Sequence, residues 1–175
     1  MMRFFNRFRR ANRGLAAIEF ALIIPIMLFT FFGIAEIANY ILAARKVANV
    51  ASSAADLVTQ DTVVTDDEMI DIMGALDVVL RPFDPSEGHV RITSVVADAD
   101  GETTVAWSDA RNTGAYAEGS PIDVPDDIVT SGQGIIMTEV SFTYRTLFGM
   151  YLNDGMTVSD TFYAKPRRST TIERQ

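Results

Sequence analysis

The spacing of apolar and polar positions changes along the chain, and each change marks an element. An unbroken apolar run occupies residues 20–35 (FALIIPIMLFTFFGIA). After it, Ile37, Ile41, Ala44, Ala48, Ala51, Ala55 and Val58 recur at alternating steps of four and three, a heptad-like seam built mostly of alanine. Joined end to end, the two patterns predict one helix over residues 15–60, about 69 Å long at 1.5 Å per residue. Pro25 and Gly33 are expected to bend or loosen it. The seam has two possible mates, the chain's own globular part and the helix of a partner, and adjacent faces can serve both.

Thr65-Asp66-Asp67-Glu68 has the form of a capping box, with Thr65 as N-cap and Glu68 reaching back to it. The helix it opens carries Met69, Ile72, Met73, Leu76 and Leu80 on one face and stops before Pro82. The period then falls to two. Residues 89–97 and 103–108 flank Asp98-Ala99-Asp100-Gly101, a hairpin signal. Residues 135–144 alternate, with Ile136, Val140, Phe142 and Tyr144 on one face, and 156–163 follow an Asn153-Asp154-Gly155 turn. Residues 109–134, rich in Gly, Pro, Ser and Asp, read as a long loop with one short strand near 122–124, and a loop of this length is functional or mobile. Between the last two strands, the connection that includes Leu147, Phe148, Met150, Tyr151 and Leu152 is unusually apolar. It is expected to fold back on the core as a short helix, or to meet another subunit or the outer membrane leaflet.

Charge turns this order of elements into a topology. Residues 1–14 carry five arginines and no acid, residues 15–43 only Glu19 and Glu36, and the rest 10 basic and 21 acidic residues, for a net charge of −8. A basic flank, an apolar run and an acidic remainder form the pattern of a single membrane anchor with a cytoplasmic N-terminus and an exported domain. The expected fold is α+β: a long N-terminal transmembrane helix extending into a small exported domain, with a second helix and an antiparallel sheet of about four strands. Its parts are a basic leader over 1–14, the helix over 15–60, the exported domain over 61–164 and a frayed basic tail over 165–175.

The run over 20–35 is about 24 Å long, short of a hydrocarbon core of roughly 30 Å. Leu15 to Ile18 supply the missing length only by bringing Glu19 to or below the membrane surface, where an acid is unfavourable. A sequence selected for anchoring alone would place an aliphatic residue at 19. A cleaved secretory signal fits poorly, because the apolar part is too long and no small-x-small site follows it.

The remaining composition excludes several chemistries. With 0 cysteines there is no disulfide framework, thiolate zinc site or cysteine nucleophile, and the 1 histidine (His89) leaves no multi-histidine metal cage. The net negative charge speaks against nucleic-acid binding. Asp98-Ala99-Asp100-Gly101 lacks the further ligands of a calcium loop, and the acids at 66–68 and Asp71 complement a helix N-terminus. Asp98, Asp100, Asp126 and Asp127 lie in apparent turns with no positioned base or nucleophile, so an exported hydrolase is disfavoured. No metal, cofactor or enzymatic activity is expected.

The stretch Arg13-Gly14-Leu15-Ala16-Ala17-Ile18-Glu19-Phe20 resembles the processing site of type IV pilin-like proteins, cut after the glycine by a prepilin peptidase. The wider RGLAAIEFALIIPIMLF resembles the TadE family, minor pilin-like proteins of tight-adherence (Flp) pilus systems, through Arg13, Gly14, Glu19, Phe20, Ala21 and Pro25. Leu15 stands where many type IV pilins have Phe, and Phe20 where the major Flp pilin has Tyr. The second departure favours an accessory subunit over the major one. The resemblance covers residues 12–60 and loosens beyond. It implies Gly14 and Leu15 as the processing site, and Glu19 with Phe20 as the assembly end that pairs with a neighbour's N-terminus. It also implies a place in the bacterial inner membrane, with the C-terminal domain periplasmic. The implied partners are a prepilin peptidase, other Tad minor pilin-like proteins, the major Flp pilin and the inner-membrane assembly platform. Glycine suits such a cut because it lets the backbone bend at low steric cost. The alternative is an uncleaved single-pass periplasmic scaffold or binding protein.

Overall fold

The computed structural model describes residues 12–125, 128–146, 149, 151–152 and 155–175. Helix α1 spans Asn12–Thr59 and runs unbroken through Pro25 and Gly33. Its first half carries an apolar surface on every side, and Leu22, Ile26, Phe31 and Ile34 are all exposed. Its second half is buried on one face. The change falls at Gly33 and Glu36, where the helix first meets the rest of the protein.

After α1 come β1 (Val63–Val64), α2 (Asp66–Leu80), a 3-10 turn (Pro85–Glu87), β2 (Gly88–Ala97), β3 (Thr103–Arg111), β4 (Gly134–Tyr144), β5 (Met156–Ala164) and β6 (Glu173–Arg174). The capping box forms as the sequence predicts: the Glu68 amide donates to Thr65 Oγ1, and the Thr65 amide donates to Glu68 Oε2 at 2.8 Å. α2 then buries Met69, Met73, Leu76 and Leu80.

The main sheet is antiparallel throughout, in the order β3-β2-β4-β5. The Asp98 hairpin joins β2 to β3, and Asp98 Oδ1 accepts from the amides of Asp100 and Glu102. Gly101 closes the turn at φ +87°, a backbone region that favours glycine. α1 packs across β4 and β5, and α2 packs beside it. Val90, Ile92, Ile136, Val140, Phe142 and Tyr144 face these helices and form one core with Val47, Val50 and Leu76. The α+β architecture expected from the sequence is therefore the one observed.

Two segments differ from expectation. In the 109–134 stretch β3 extends to Arg111, and the described residues from 112 to 133 form the expected loop. The short strand near 122–124 does not form, an isolated bridge at Pro121 standing beside it. The loop is packed, with Tyr116, Ile122, Val124, Ile128 and Val129 on Val95, Ile135 and Met137. This second small core covers the sheet's other face, so β4 is buried continuously from Gly134 to Thr138 before it alternates. The C-terminal segment is not frayed. Ile172 is buried in the main core, and β6 pairs with β1 in parallel. Arg174 bridges Asp66 and Asp109, and Arg167 pairs with Asp56 of α1. Its basic residues anchor it because acidic partners lie on α1, α2 and β3.

Candidate functional site

Three places on α1 carry the functional questions: its N-terminal end, its seam, and the point where it enters the domain. At the first, the described part of α1 begins at Asn12, so the Gly14–Leu15 bond lies within helical backbone. Leu15, Glu19 and Phe20 are exposed. Leu15 and Glu19 are four residues apart and share a face one turn from each other.

The seam is divided. Ala51, Ala55 and Val58 are buried in the domain, Ala44 and Ala48 are half-buried, and Ile37 and Ile41 remain exposed. The row that α1 turns most fully to its own core is Glu36, Ala43, Val47, Val50, Ala54 and Val58, with Tyr40 half-buried beside it. This row lies one position N-terminal to most of the predicted seam. Adjacent rows differ by about 100°, and an apolar face of at least that width satisfies a four-three pattern in either register. Val47 and Val50 are fully buried, as are Ala51 and Ala55, and Ala44 and Ala48 lie at the edge of the contact.

The third place was not visible in the sequence. Glu36 is 0% exposed. Its Oε2 accepts the amide hydrogen of Tyr151 at 3.2 Å, while its Oε1 is buried with no hydrogen-bond partner among the described residues. The Tyr151 hydroxyl donates to the Phe29 carbonyl at 2.7 Å. Its ring lies against Gly33 so closely that a Cβ on that glycine would stand 2.9 Å from Tyr151 Cε2. Gly33 is thus a point of close approach, one turn before the carboxylate. Tyr144, at the end of β4, stacks edge-on with Tyr40 at 5.6 Å, and its hydroxyl is also buried without a hydrogen-bond partner among the described residues. Burial, and secondarily the neighbouring Glu36, push the Tyr144 phenol above its ordinary pKa. Together these groups form a collar tying the β4–β5 connection to α1.

In that connection Leu152 packs against the main core and Tyr151 is partly exposed. Leu147, Phe148 and Met150 lie outside the described residues. No helix forms among the described residues of this segment. The collar's sequence signal was Gly33-x-x-Glu36 within an apolar helix together with an apolar connection containing Tyr151, but nothing local links positions 115 residues apart.

The other acids serve structure. Asp98 caps its hairpin, and Asp126 and Asp127 lie outside the described residues. Glu68 is held below the usual carboxylate pKa by the backbone and side-chain hydrogen bonds at Thr65. Among the described residues no cluster of three His, Asp or Glu could hold a metal ion. On the sheet's outer face, Arg91 donates to Glu139 and to the Gly114 carbonyl and lies 4.1 Å from the Tyr116 ring centroid, pinning the 112–133 segment.

The architecture is that of a single apolar helix, long enough to cross a membrane and with its apolar stretch unburied, carrying an α+β domain at one end. Residues 14–56 match the family model described as TadE-like protein, the family that the sequence resembles. That match takes in Gly14, Glu19, the apolar run, Glu36 and most of the seam, and ends before β1. Together, the segment and the helix fit a membrane protein related to Tad pili. No curated protein and no solved structure gives a significant match.

Proposed function

We propose that this chain is a minor pilin-like component of a Tad/Flp pilus assembly system, cut after Gly14 by a prepilin peptidase and acting in pilus biogenesis and surface adherence. The observation that carries this reading is the placement of Gly14 and Glu19. Both lie in the TadE-like segment, at the end of an unburied apolar helix. After the cut, Leu15 would bear a new ammonium, and Glu19 one turn away would offer a carboxylate to a neighbouring subunit's N-terminus. In a low-dielectric bundle each charge needs the other, because an unpaired buried charge is strongly destabilising. The five arginines before the cut hold the N-terminus in the cytoplasm and place the acidic domain on the periplasmic side of the inner membrane. Ile37 and Ile41 are exposed beside the domain and are available to the helix of another pilin-like subunit. The major Flp pilin, its minor relatives and the assembly platform are the partners this reading names.

Co-expression with the prepilin peptidase tests it. The intact mass should fall by residues 1–14, and Gly14→Arg should abolish the change. A mass unaltered by the peptidase would return the chain to an uncleaved periplasmic scaffold.

A further inference from the structure

The collar lies at a depth that the length of α1 fixes. If the membrane span begins just after Arg13, a hydrocarbon core of roughly 30 Å consumes about 20 residues and ends near Ile34. A core of about 27 Å ends about two residues earlier, and a tilt of about 20° moves the boundary outward by a residue or so. In each case Phe29 lies inside the acyl layer, by about 4 to 9 Å. Glu36 lies just outside it, at the level of the headgroups. Tyr151 joins these two levels, with its amide on Glu36 Oε2 and its hydroxyl on the Phe29 carbonyl.

We propose that Tyr151 is a membrane-inserted side chain: it enters the outward-facing leaflet alongside α1, against lipid acyl chains, and seats the exported domain on the bilayer. A phenol hydroxyl in hydrocarbon is costly unless it is hydrogen-bonded. The Phe29 carbonyl removes that cost, since its second lone pair can accept from a side chain in addition to the helix bond. Gly33 gives the ring a flat bed on the backbone. Tyr151 stays 49% exposed, and its neighbours on the helix, Ile26, Phe29 and Ile34, are exposed apolar residues that the same acyl chains would cover. Tyrosine also suits this position by chemistry, having an apolar body and a single polar tip. The Glu36 carboxylate holds the backbone of Tyr151 at the boundary, so the domain is fixed in height and in rotation about α1.

This inference rests on the reading of α1 as a membrane anchor, and the experiment separates the two. The full chain carrying Trp107→Phe and Tyr151→Trp is reconstituted into phosphatidylcholine–phosphatidylglycerol vesicles, and its tryptophan emission is measured with acyl chains brominated at carbons 6,7 or 11,12. Flotation of the vesicles reports anchoring. The expected result is flotation with at least twofold quenching, stronger from the 6,7 label. Flotation without quenching overturns the inserted tyrosine and leaves the anchor intact. Failure to float overturns both. Should Trp107→Phe not fold, the same measurement is made on Tyr151→Trp with Trp107 retained and the parent chain as background.

Discussion

The indole Nε1 of Trp107 donates a hydrogen bond to the carbonyl of Ile172 at 2.7 Å, inside the protein and across 65 residues of chain. The contact joins the middle of edge strand β3 to the last segment of the fold, and Ile172 itself is buried in the main core. Removing residues 172–175 would delete one buried aliphatic side chain, worth about 1.5–3 kcal/mol, and leave the indole N–H unpaired, at about 1–3 kcal/mol. The truncated chain should therefore unfold at clearly lower urea concentration, in detergent micelles, when followed by Trp107 emission. An unchanged midpoint would mean that the tail contributes nothing.

Glu36 offers a sharper comparison between two substitutions. Glu36→Leu removes the acceptor of the Tyr151 amide and should cost about 1–3 kcal/mol where that amide stays buried. Glu36→Gln keeps an oxygen in the same place and should stay close to the parent. Protease sensitivity of the 145–155 connection in vesicles is the readout, and equal sensitivity of the two variants would remove the carboxylate from the collar.

The cap of α2 gives a pH dependence with a definite sign. Hydrogen bonds from Thr65 hold the Glu68 carboxyl below its ordinary pKa, so the folded state favours the ionised form. The stabilisation is complete above the ordinary carboxylate range and is lost as pH falls through the depressed value. Glu68→Gln should lower the neutral plateau of a thermal-stability profile toward its acid value while leaving the acid end nearly unchanged, and so flatten the profile. A parallel downward shift at every pH would point to lost packing instead.

Glu19→Leu separates insertion from assembly. Replacing an acid at or below the membrane surface with an aliphatic residue should leave insertion unchanged or improved. Under the proposed function it should still abolish pilus formation in cells, because the neighbour's ammonium loses its counter-charge. Piliated cells carrying the variant would contradict the pairing.

Features of the fold written in local periodicity were legible before the structure: the capping box at Thr65 and Glu68, the Asp98 hairpin and the inward row Ile136, Val140, Phe142 and Tyr144. Non-local features were not. The packing of the 112–133 loop did not show because the partners of Ile122 and Val129 are on β2 and β4, far off in sequence. The C-terminal segment read as a tail because its basic residues look solvated until Asp56, Asp66 and Asp109 are brought beside them. The motif at Gly14 and Glu19 was visible in the sequence, whereas Glu36 stood out only as the second acid in residues 15–43. A carboxylate's partner 115 residues away leaves no periodic trace.

The docking of Ile172 sets an order of events for biogenesis. Because the main core includes Ile172, it reaches its full packing only once that residue has been synthesised. In the proposed orientation that residue must also have crossed the bilayer. The domain therefore gains its last buried side chain and the cap on the Trp107 indole only after the helix has been anchored.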